Sequence, residues 1–171
     1  MINYSYTLRK VRTNEAQKFF AMRILALQKD PEAFVATLEE EQAMTTSEVE
    51  KYLIKNYVLG AFTQEDELIG TLVYMEQERQ KFQHIGILGG MFVHPTHRGR
   101  GLARKLLGEM LQKLRKLDHL YSLQLKVITE NVPAIRLYES AGFAVWATEK
   151  NALLHEGKFV DQHHMALSLV G

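Results

Sequence analysis

The segment from Met91 to Ala103 constrains the fold more than any other part of the chain, because it contains three parts of different character. It reads MFVHPTHRGRGLA, an apolar strand that stops at a proline, a basic loop with two glycines, and the start of a helix. Glycine permits backbone angles closed to other residues, and the first N–H groups of a helix lack internal partners. Together with the charges of Arg98 and Arg100, these features predict a loop that binds pyrophosphate. A solvated turn or a nucleic-acid-binding loop has the same local pattern.

Composition narrows the class of protein. Of the 171 residues, 46% are hydrophobic and 24% are charged, which favours one folded domain over residues 1–171. A net charge of +1 argues against a duplex-binding protein, which carries a clear basic excess. Cysteine is absent, which excludes disulfides, thiolate metal sites and a cysteine nucleophile. No apolar run approaches the ~20 residues of a membrane span and the start lacks a signal-peptide core, so we expect a cytoplasmic protein without a membrane partner.

The first half of the chain predicts two helices followed by a three-stranded meander. The pattern predicts a strand over 5–11, a helix from about 13 to Asp30-Pro31 and a second helix over about 46–56. It then predicts strands over 58–62, 68–74 and 85–93. The acidic cluster Glu39–Glu41 is typical of a solvated helix face and can also face a cationic substrate. Gly89 and Gly90 lie inside the third strand, where glycine indicates a bulge, a close backbone approach or the tolerance of an edge position.

The second half predicts a parallel crossover. An apolar stripe at helical spacing runs from Leu102 to Leu117, and a strand over 121–128 follows it. Strand, loop, helix and strand form a crossover unit, so the strands over 85–93 and 121–128 should be parallel neighbours. The anion site then lies beyond the carboxyl end of the first strand. Strands over 143–147 and 159–169, joined by a link over 149–158, finish the chain.

The segment between these parts, NVPAIRLYESAGF at 131–143, predicts a second junction of loop and helix. Asn131 suits the N-cap of the helix and Gly142 suits its C-cap. Ala134 and Tyr138 share the inward face, so the hydroxyl of Tyr138 needs a partner or a ligand. Taken alone, this tyrosine is typical of an ordinary half-buried residue.

Together the two segments resemble the motifs of the GCN5-related N-acetyltransferases (GNAT), which acetylate amines with acetyl-CoA. RGRGLA at 98–103 resembles the family's Arg/Gln-x-x-Gly-x-Gly/Ala motif, and 131–143 resembles its Asn-x-x-Ala-x-x-Leu-Tyr-Glu-x-x-Gly-Phe motif. The order of elements extends the resemblance to essentially the whole chain. It implies an α/β (α+β) fold with a mixed, mostly antiparallel central sheet of about seven strands and helices on both faces. It also implies a splayed parallel strand pair that holds the cofactor.

The resemblance further implies an acetyl-CoA site. The main chain around Phe92 and Val93 would pair with pantetheine, and the N–H groups of residues 99–104 would hold the pyrophosphate. Asn131 would contact the coenzyme further along, and Tyr138 would lie near its sulfur. The implied cofactor-binding residues are Met91, Phe92, Val93, Arg98, Gly99, Arg100, Gly101, Leu102, Ala103, Arg104, Asn131, Ala134 and Tyr138.

The implied reaction is direct attack of a primary amine on the acetyl group. By resemblance Tyr138 would be the general acid to the departing sulfur, while main-chain donors near Val93 can stabilise the oxyanion. The general base is unassigned, because the strand over 85–93 contains no carboxylate where many family members place a glutamate. The candidates are Glu76, Glu78, His84 and water.

The expected partner is a small-molecule amine or a peptide amine, and a homodimer is left open. The acidic residues at 39–41, Glu76 and Glu78 are compatible with a cationic amine. His163 and His164 point to opposite faces of a strand and cannot share an ion, so no metal is expected. The alternatives are a catalytically silent module that binds or senses acyl-CoA, and a nucleic-acid-binding module, which both motifs disfavour.

Overall fold

The computed structural model describes residues 5–170. Over this range the chain forms seven strands and five helices, joined in places by short 3-10 turns. The strands are β1 (Tyr6–Lys10), β2 (Tyr57–Thr63), β3 (Leu68–Glu76), β4 (Ile85–Val93), β5 (Ser122–Ile128), β6 (Ala144–His155) and β7 (Lys158–Ser168). The helices are α1 (Ala16–Lys29), α2 (Leu38–Gln42), α3 (Thr46–Lys55), α4 (Leu102–Leu114) and α5 (Val132–Ser140). Within residues 5–170 no helix is long and apolar enough to cross a membrane.

The seven strands of the described chain belong to one sheet, in the order β1-β2-β3-β4-β5-β7-β6. The β4–β5 pair is parallel and the other neighbouring pairs are antiparallel. Helices α1 and α3 pack on one face, and helices α4 and α5 pack on the other, each around its own apolar cluster. The predicted α/β (α+β) fold with a mixed, mostly antiparallel sheet is therefore confirmed.

Helix α4 supplies much of the core on its face of the sheet. The predicted apolar stripe is buried at Leu102, Leu106, Leu107, Met110, Leu111 and Leu114. The helix ends at Leu114, and Leu117 packs against the same core just beyond it. Because α4 connects β4 to its parallel neighbour β5, the predicted crossover is also confirmed.

The parallel pair β4–β5 is joined over only part of its length. Ile85–Ile87 pair with Ser122–Gln124, and no further register partners link these two strands within the described chain. The rest of β4 and β5, up to Val93 and Ile128, diverges. The facing edges there carry main-chain groups without a strand partner, which folded proteins rarely leave unsatisfied. The predicted splayed pair is confirmed, and it opens a cleft within the sheet.

A bulge in β4 adjoins this cleft. The register between β3 and β4 passes from Thr71 opposite Phe92 to Val73 opposite Gly89, so β4 uses one more residue than β3 over this step. Gly90 takes a left-handed conformation with φ of 59°. Its carbonyl accepts a hydrogen bond from Thr71 Oγ1 at 3.0 Å. Of the interpretations left open for this glycine, the register shift and the positive φ identify the bulge.

The last hairpin differs from the prediction. β6 continues to His155 and the turn falls at Glu156-Gly157, so the predicted link over 149–158 is wrong. Asn151 takes a φ of 54° within an irregular stretch of β6, and its N–H donates to Asp161 Oδ1 at 2.9 Å. The polar residues that suggest a link instead belong to an edge strand. Most side chains of an edge strand here meet solvent, so the apolar alternation that marks a strand is missing.

A buried ion pair attaches α2 to α1. Arg23 Nε and Nη2 donate to the two carboxylate oxygens of Glu41 at 3.0 and 2.9 Å, and the two side chains are only 16% and 9% exposed. Glu39 and Glu40 are exposed, but Glu41 is not. The expectation of a solvated or substrate-facing acidic cluster is therefore wrong for Glu41, because its carboxylate neutralises a cation of the preceding helix.

Replacing Glu41 with glutamine should destabilise the fold, because Arg23 would keep a largely buried charge without a counter-charge. Removal of one partner of a buried ion pair costs about 3 kcal/mol, which urea denaturation will detect as a lower unfolding midpoint. Glu39→Gln is the matched control, since it changes an exposed glutamate of the same helix and should shift the free energy of unfolding by less than about 0.5 kcal/mol. Equal stability of the two variants would contradict the prediction.

Candidate active site

A cleft of about 900 Å³ opens where β4 and β5 diverge. Five parts of the chain line it: the end of β4 with the following loop, the first turn of α4, the end of β5 with the first turns of α5, the turn after α1, and Val160 of β7. A cleft of this size accommodates an extended ligand. The predicted cofactor-binding residues that line it are Met91, Phe92, Val93, Arg98, Gly99, Gly101, Leu102, Ala103, Arg104, Asn131 and Ala134. Arg100 and Tyr138 are not among its lining residues.

The loop before α4 has the backbone geometry of an anion-binding cradle. Gly99 and Gly101 take left-handed conformations with φ of 74° and 75°, and Gly101 is the N-cap of α4. The helix begins its hydrogen bonds with Lys105 N donating to Gly101 O at 3.1 Å, so the N–H groups of residues 102–104 lie outside the helical ladder. A Cβ at either glycine would meet no atom within 4 Å. Backbone conformation, not crowding, therefore calls for glycine here, and the main chain stays open to an anion.

Arg98 is tied into the protein. Its Nε donates to the carbonyl of Val93 at 2.9 Å, and its guanidinium lies 5.2 Å from the ring centroid of Phe92. Its two Nη groups donate to the carboxylate of Asp30, which is 68 residues away in the sequence and caps the end of α1. The sequence pattern predicts a fixed charge for pyrophosphate at this position. In the structure, the guanidinium of Arg98 instead forms an ion pair with Asp30, which joins the end of α1 to the loop.

Two further arginines line the cleft, and sequence reasoning found only one of them. Arg104 lies in the first turn of α4, as predicted, and Arg136 lies on α5. The cleft-lining residues Pro133, Arg136 and Leu137 occupy positions i, i+3 and i+4, which lie on one face of a helix. That spacing is the signal that could have identified Arg136. Arg100 is exposed and does not line the cleft.

Asn131 shapes the opposite wall by capping α5. Its N–H donates to Ile128 O at 3.0 Å, and its side-chain Oδ1 accepts a hydrogen bond from Ala134 N at 3.2 Å. The predicted N-cap is therefore confirmed. The cap uses the amide oxygen, so the amide NH2 of Asn131 is the group that can reach a ligand in the cleft.

Tyr138 lies on the inward face of α5 and is 8% exposed. Its ring meets Phe143 edge-on, with the ring centroids 6.0 Å apart. Burial raises the pKa of Tyr138 to about 12, so its hydroxyl keeps the proton at neutral pH. Ala134 and Leu137, on the same helix, line the cleft, whereas Tyr138 does not. The structure places a protonated phenol beside the cleft wall, and its contact with a sulfur stays a prediction.

The predicted base candidates do not line the cleft. Glu76 ends β3 beside the first residues of β4, where the β4–β5 pair is closed. Glu78 forms an ion pair with Lys55 at the end of α3. His84 immediately precedes β4 at the same closed end and packs edge-on against Tyr121, with the ring centroids 6.3 Å apart. Proximity in sequence to the loop therefore does not bring these side chains to the site.

Other carboxylates take their place in the lining. They are Asp30, Glu32 and Glu130, while the residues at 39–41, Glu76 and Glu78 lie outside it. The expectation that the latter group attracts a cationic amine is thus not supported by their positions. Glu130 directly precedes the second motif, which could have drawn attention to it. Asp30 and Glu32 carry no such signal, because the local pattern marks only the end of a helix.

The histidines do not gather into a metal site. His163 Nδ1 and His164 Nε2 contact different neighbours, Thr148 Oγ1 and Glu149 Oε2, each at 2.8 Å. Within residues 5–170 no group of three or more His, Asp or Glu side chains is arranged to hold an ion. His97 does line the cleft, and burial lowers its pKa, so its imidazole is neutral at neutral pH.

Sequence comparison finds relatives among amino-acid acetyltransferases. The chain is 30% identical over 100 residues to the L-amino acid N-acetyltransferase AaaT of Escherichia coli (strain K12), covering 58% of this chain and 61% of that protein. It is 33% identical over 79 residues to the L-methionine sulfoximine/L-methionine sulfone acetyltransferase of Salmonella typhimurium, covering 46% of each. The chain thus spans between about half and three fifths of the length of these relatives.

Solved structures share the fold over nearly the whole chain. A GNAT-family acetyltransferase from Streptococcus pneumoniae superposes with a TM-score of 0.85 at 23% identity, covering 96% of this chain and 99% of that one. The YncA protein of Salmonella typhimurium, solved with its cofactor acetyl-CoA, superposes with a TM-score of 0.84 at 20% identity, covering 98% of this chain and 95% of that one. At these identities the likeness establishes the fold.

The sequence model of the Acetyltransferase (GNAT) family matches residues 19–143, which include both motifs and the strands from β2 to β5. The splayed strands and the glycine loop at the start of α4 lie where the resemblance implied. The chain therefore belongs to the GNAT acetyltransferase family.

Proposed function

We propose that this protein is an acetyl-CoA-dependent N-acetyltransferase that moves an acetyl group to a primary amine by direct attack. The observation that carries the proposal is the cleft between the diverging strands, which ends at the left-handed glycine loop of α4. A ligand with an extended polar arm and a pyrophosphate suits both features. The activities named for the two amino-acid acetyltransferase relatives support the same conclusion.

The cleft residues suit successive parts of acetyl-CoA. The N–H groups of residues 99–104 would hold the pyrophosphate, with the charge of Arg104 beside them. The edge of β4 that faces β5 near Phe92 and Val93 has main-chain groups without a strand partner. These groups would pair with the amides of the pantetheine arm, as in the addition of a strand to a sheet edge. Asn131 would contact the arm from the opposite wall.

When bound, acetyl-CoA supplies an acetyl group activated as a thioester. The amine nitrogen forms a bond to the acetyl carbon, the carbon–sulfur bond breaks, and the amine loses a proton. Main-chain N–H groups near Val93 would stabilise the negative oxygen, a contribution of ~10²–10³ in rate for a well-placed donor. Tyr138 would give its proton to the departing sulfur, a contribution of ~10²–10⁴.

We further infer that the acceptor is the α-amine of a free amino acid or a related small amine. The cleft presents a guanidinium at Arg136 and carboxylates at Glu32 and Glu130, so it offers both signs of charge to a zwitterion. The substrates named for the two relatives are of this class. The proton of the attacking amine can pass to water in this open cleft, so the proposal assigns no dedicated base.

Turnover of acetyl-CoA with single amines tests the proposed function. We expect release of free thiol with at least one L-amino acid or with L-methionine sulfone, and mass spectrometry should show the acetylated amine. Tight binding of acetyl-CoA without turnover across amino acids, polyamines and peptides would instead identify a catalytically silent acyl-CoA-binding module. Steeply salt-dependent binding of RNA or DNA, without either result, would identify a nucleic-acid-binding module.

Gly101→Val should weaken coenzyme A binding much more than Arg98→Ala. Valine is strained at a φ of 75°, and its branched side chain would cover the N–H groups at the start of α4. Arg98 already shares its charge with Asp30, so its loss should change the Kd only a few-fold. Titration calorimetry with coenzyme A measures both variants, and Gly108→Val, on the exposed side of α4, is the matched control. Equal losses would mean that charge, not backbone geometry, holds the pyrophosphate.

Tyr138→Phe should lower kcat by roughly 10–10³ while acetyl-CoA affinity stays within a few-fold, because only the proton donor is lost. The ring would still pack on Phe143, so the Tm should change little. Tyr121→Phe, which alters an exposed tyrosine outside the cleft lining, is the control. A wild-type kcat in Tyr138→Phe would end the general-acid assignment.

The pKa of Tyr138 adds a pH test of the same role. With a pKa of about 12, the hydroxyl is protonated at every lower pH, so the acid form is lost only as pH rises through that value. We therefore expect that deprotonation of Tyr138 causes no decrease in kcat below about pH 11. A fall at lower pH that disappears in Tyr138→Phe would show that the buried environment of the free enzyme does not persist in the complex.

A further inference from the structure

One wall of the cleft is formed by the chain that follows α1. Asp30 caps this helix, and the 3-10 turn Pro31–Ala33 that follows lies against β5. Asp30 and Glu32 line the cleft from this side. We name residues 30–42 the acceptor wall: Asp30, Glu32 and Ala33 line the cleft without belonging to the segments assigned to the coenzyme, and residues 34–42 continue from them away from the lining. The far end of this wall is anchored to α1 by the buried carboxylate of Glu41.

The near end of the acceptor wall is held by Arg98, which projects from the loop assigned to the coenzyme. The bond from its Nε to Val93 O, at 2.9 Å, and its position over the Phe92 ring orient the guanidinium. Its two Nη groups are then directed to the carboxylate of Asp30. One side chain thereby contacts the end of β4 and the acceptor wall, and links both to the loop.

These contacts leave Arg98 poorly placed as the main ligand of a phosphate. Its Nε is taken by Val93 O, and its Nη groups are shared with Asp30. Arg104, in contrast, lines the cleft from the first turn of α4 and forms no ion pair with a described residue. The negative charge of a pyrophosphate can therefore be met by Arg104 and the main chain, with the bond between Arg98 and Asp30 intact.

We propose that the Asp30–Arg98 pair couples the two substrate sites, so that coenzyme binding at residues 99–104 orders the acceptor wall. The inference rests on the proposed function, in which the loop binds the acyl donor and the wall faces the amine. An anion bound by the loop restricts the motion of the segment that carries Arg98. Formation of the Asp30–Arg98 pair then costs less conformational entropy, because Arg98 is already ordered. By linkage, an amine that orders the wall tightens coenzyme binding by the same factor. Arg98 and Asp30 are then positioning residues.

Hydrogen–deuterium exchange with coenzyme A tests the coupling without an acceptor. In the wild-type protein, saturating coenzyme A should slow exchange in residues 95–105 and should also slow it in the acceptor wall, by about fivefold or more. In Asp30→Asn and in Arg98→Ala, the loop should remain protected while the protection of the wall is lost. The Kd of coenzyme A, from calorimetry, should stay within a few-fold of wild type in both variants.

Asp66→Asn is the matched control for these variants. It removes another ion-paired aspartate, which contacts Arg9 and Lys18 outside the cleft lining, by the same change of side chain. The coenzyme-dependent protection of the acceptor wall should persist in this variant. With an amine substrate in hand, Asp30→Asn should raise the KM for the amine at saturating acetyl-CoA by about fivefold or more, and the KM for acetyl-CoA at saturating amine by a similar factor, because the coupling is reciprocal. The Asp30→Asn/Arg98→Ala double variant should be no worse than either single variant.

Protection of the acceptor wall that survives both substitutions would overturn the proposal. So would a loss of coenzyme A affinity of about 100-fold in Arg98→Ala with none in Asp30→Asn, because Arg98 would then bind phosphate directly. Protection of the loop alone in the wild-type protein would reject the coupling and leave the proposed function standing. No binding and no protection of the loop would reject the donor site itself, and with it the proposed function.

Discussion

The early end of the β4–β5 ladder is the constraint on which the rest of the structure depends. A sheet that loses pairing in its interior leaves main-chain N–H and C=O groups that water or a ligand must satisfy. Here the pairing ends at Ile87, while a bulge at Gly90 changes the course of β4 and α4 and α5 pack on one face. The unsatisfied groups are thereby confined to one cleft. The same groups are those that an extended ligand can pair with, so the architecture and the site have one physical origin.

We propose that the loop before α4 binds an anion through its main chain more than through side-chain charge. Gly99 and Gly101 hold left-handed angles that leave the first N–H groups of α4 at the edge of the cleft. Such groups are aligned by the helix and need no side-chain ordering to meet a phosphate. The arginine that opens the motif, Arg98, is consequently available for a contact with Asp30. A residue that reads as a phosphate ligand in sequence is in the structure part of the link between two walls.

In the proposed function, the two family motifs account for the coenzyme half of the cleft, and the acceptor wall would contact the amine. This wall consists of the short turn after α1, which the Asp30–Arg98 pair holds at the cleft, and the five-residue helix α2, which lies outside the cleft lining and is held to α1 by the Arg23–Glu41 pair. Ion pairs orient such a segment although it contributes little to the apolar core. Carboxylates at Glu32 and Glu130 complete the lining. In this proposal, selection among amines depends on charges carried by a segment that contributes little to the apolar core.

Much of the fold and half of the site follow from local patterns: the stripe of α4, the cap at Asn131 and the glycine loop are encoded within a few residues of one another. The length of β6 was not predictable, because its partner β7, not its own alternation, keeps it extended. The sequence by itself determined most of the elements, the family and the glycine loop before α4. Only the tertiary structure decided which carboxylates reach the cleft, because strand register carries Glu76 to the closed end while an ion pair spanning 68 residues brings Asp30 to Arg98.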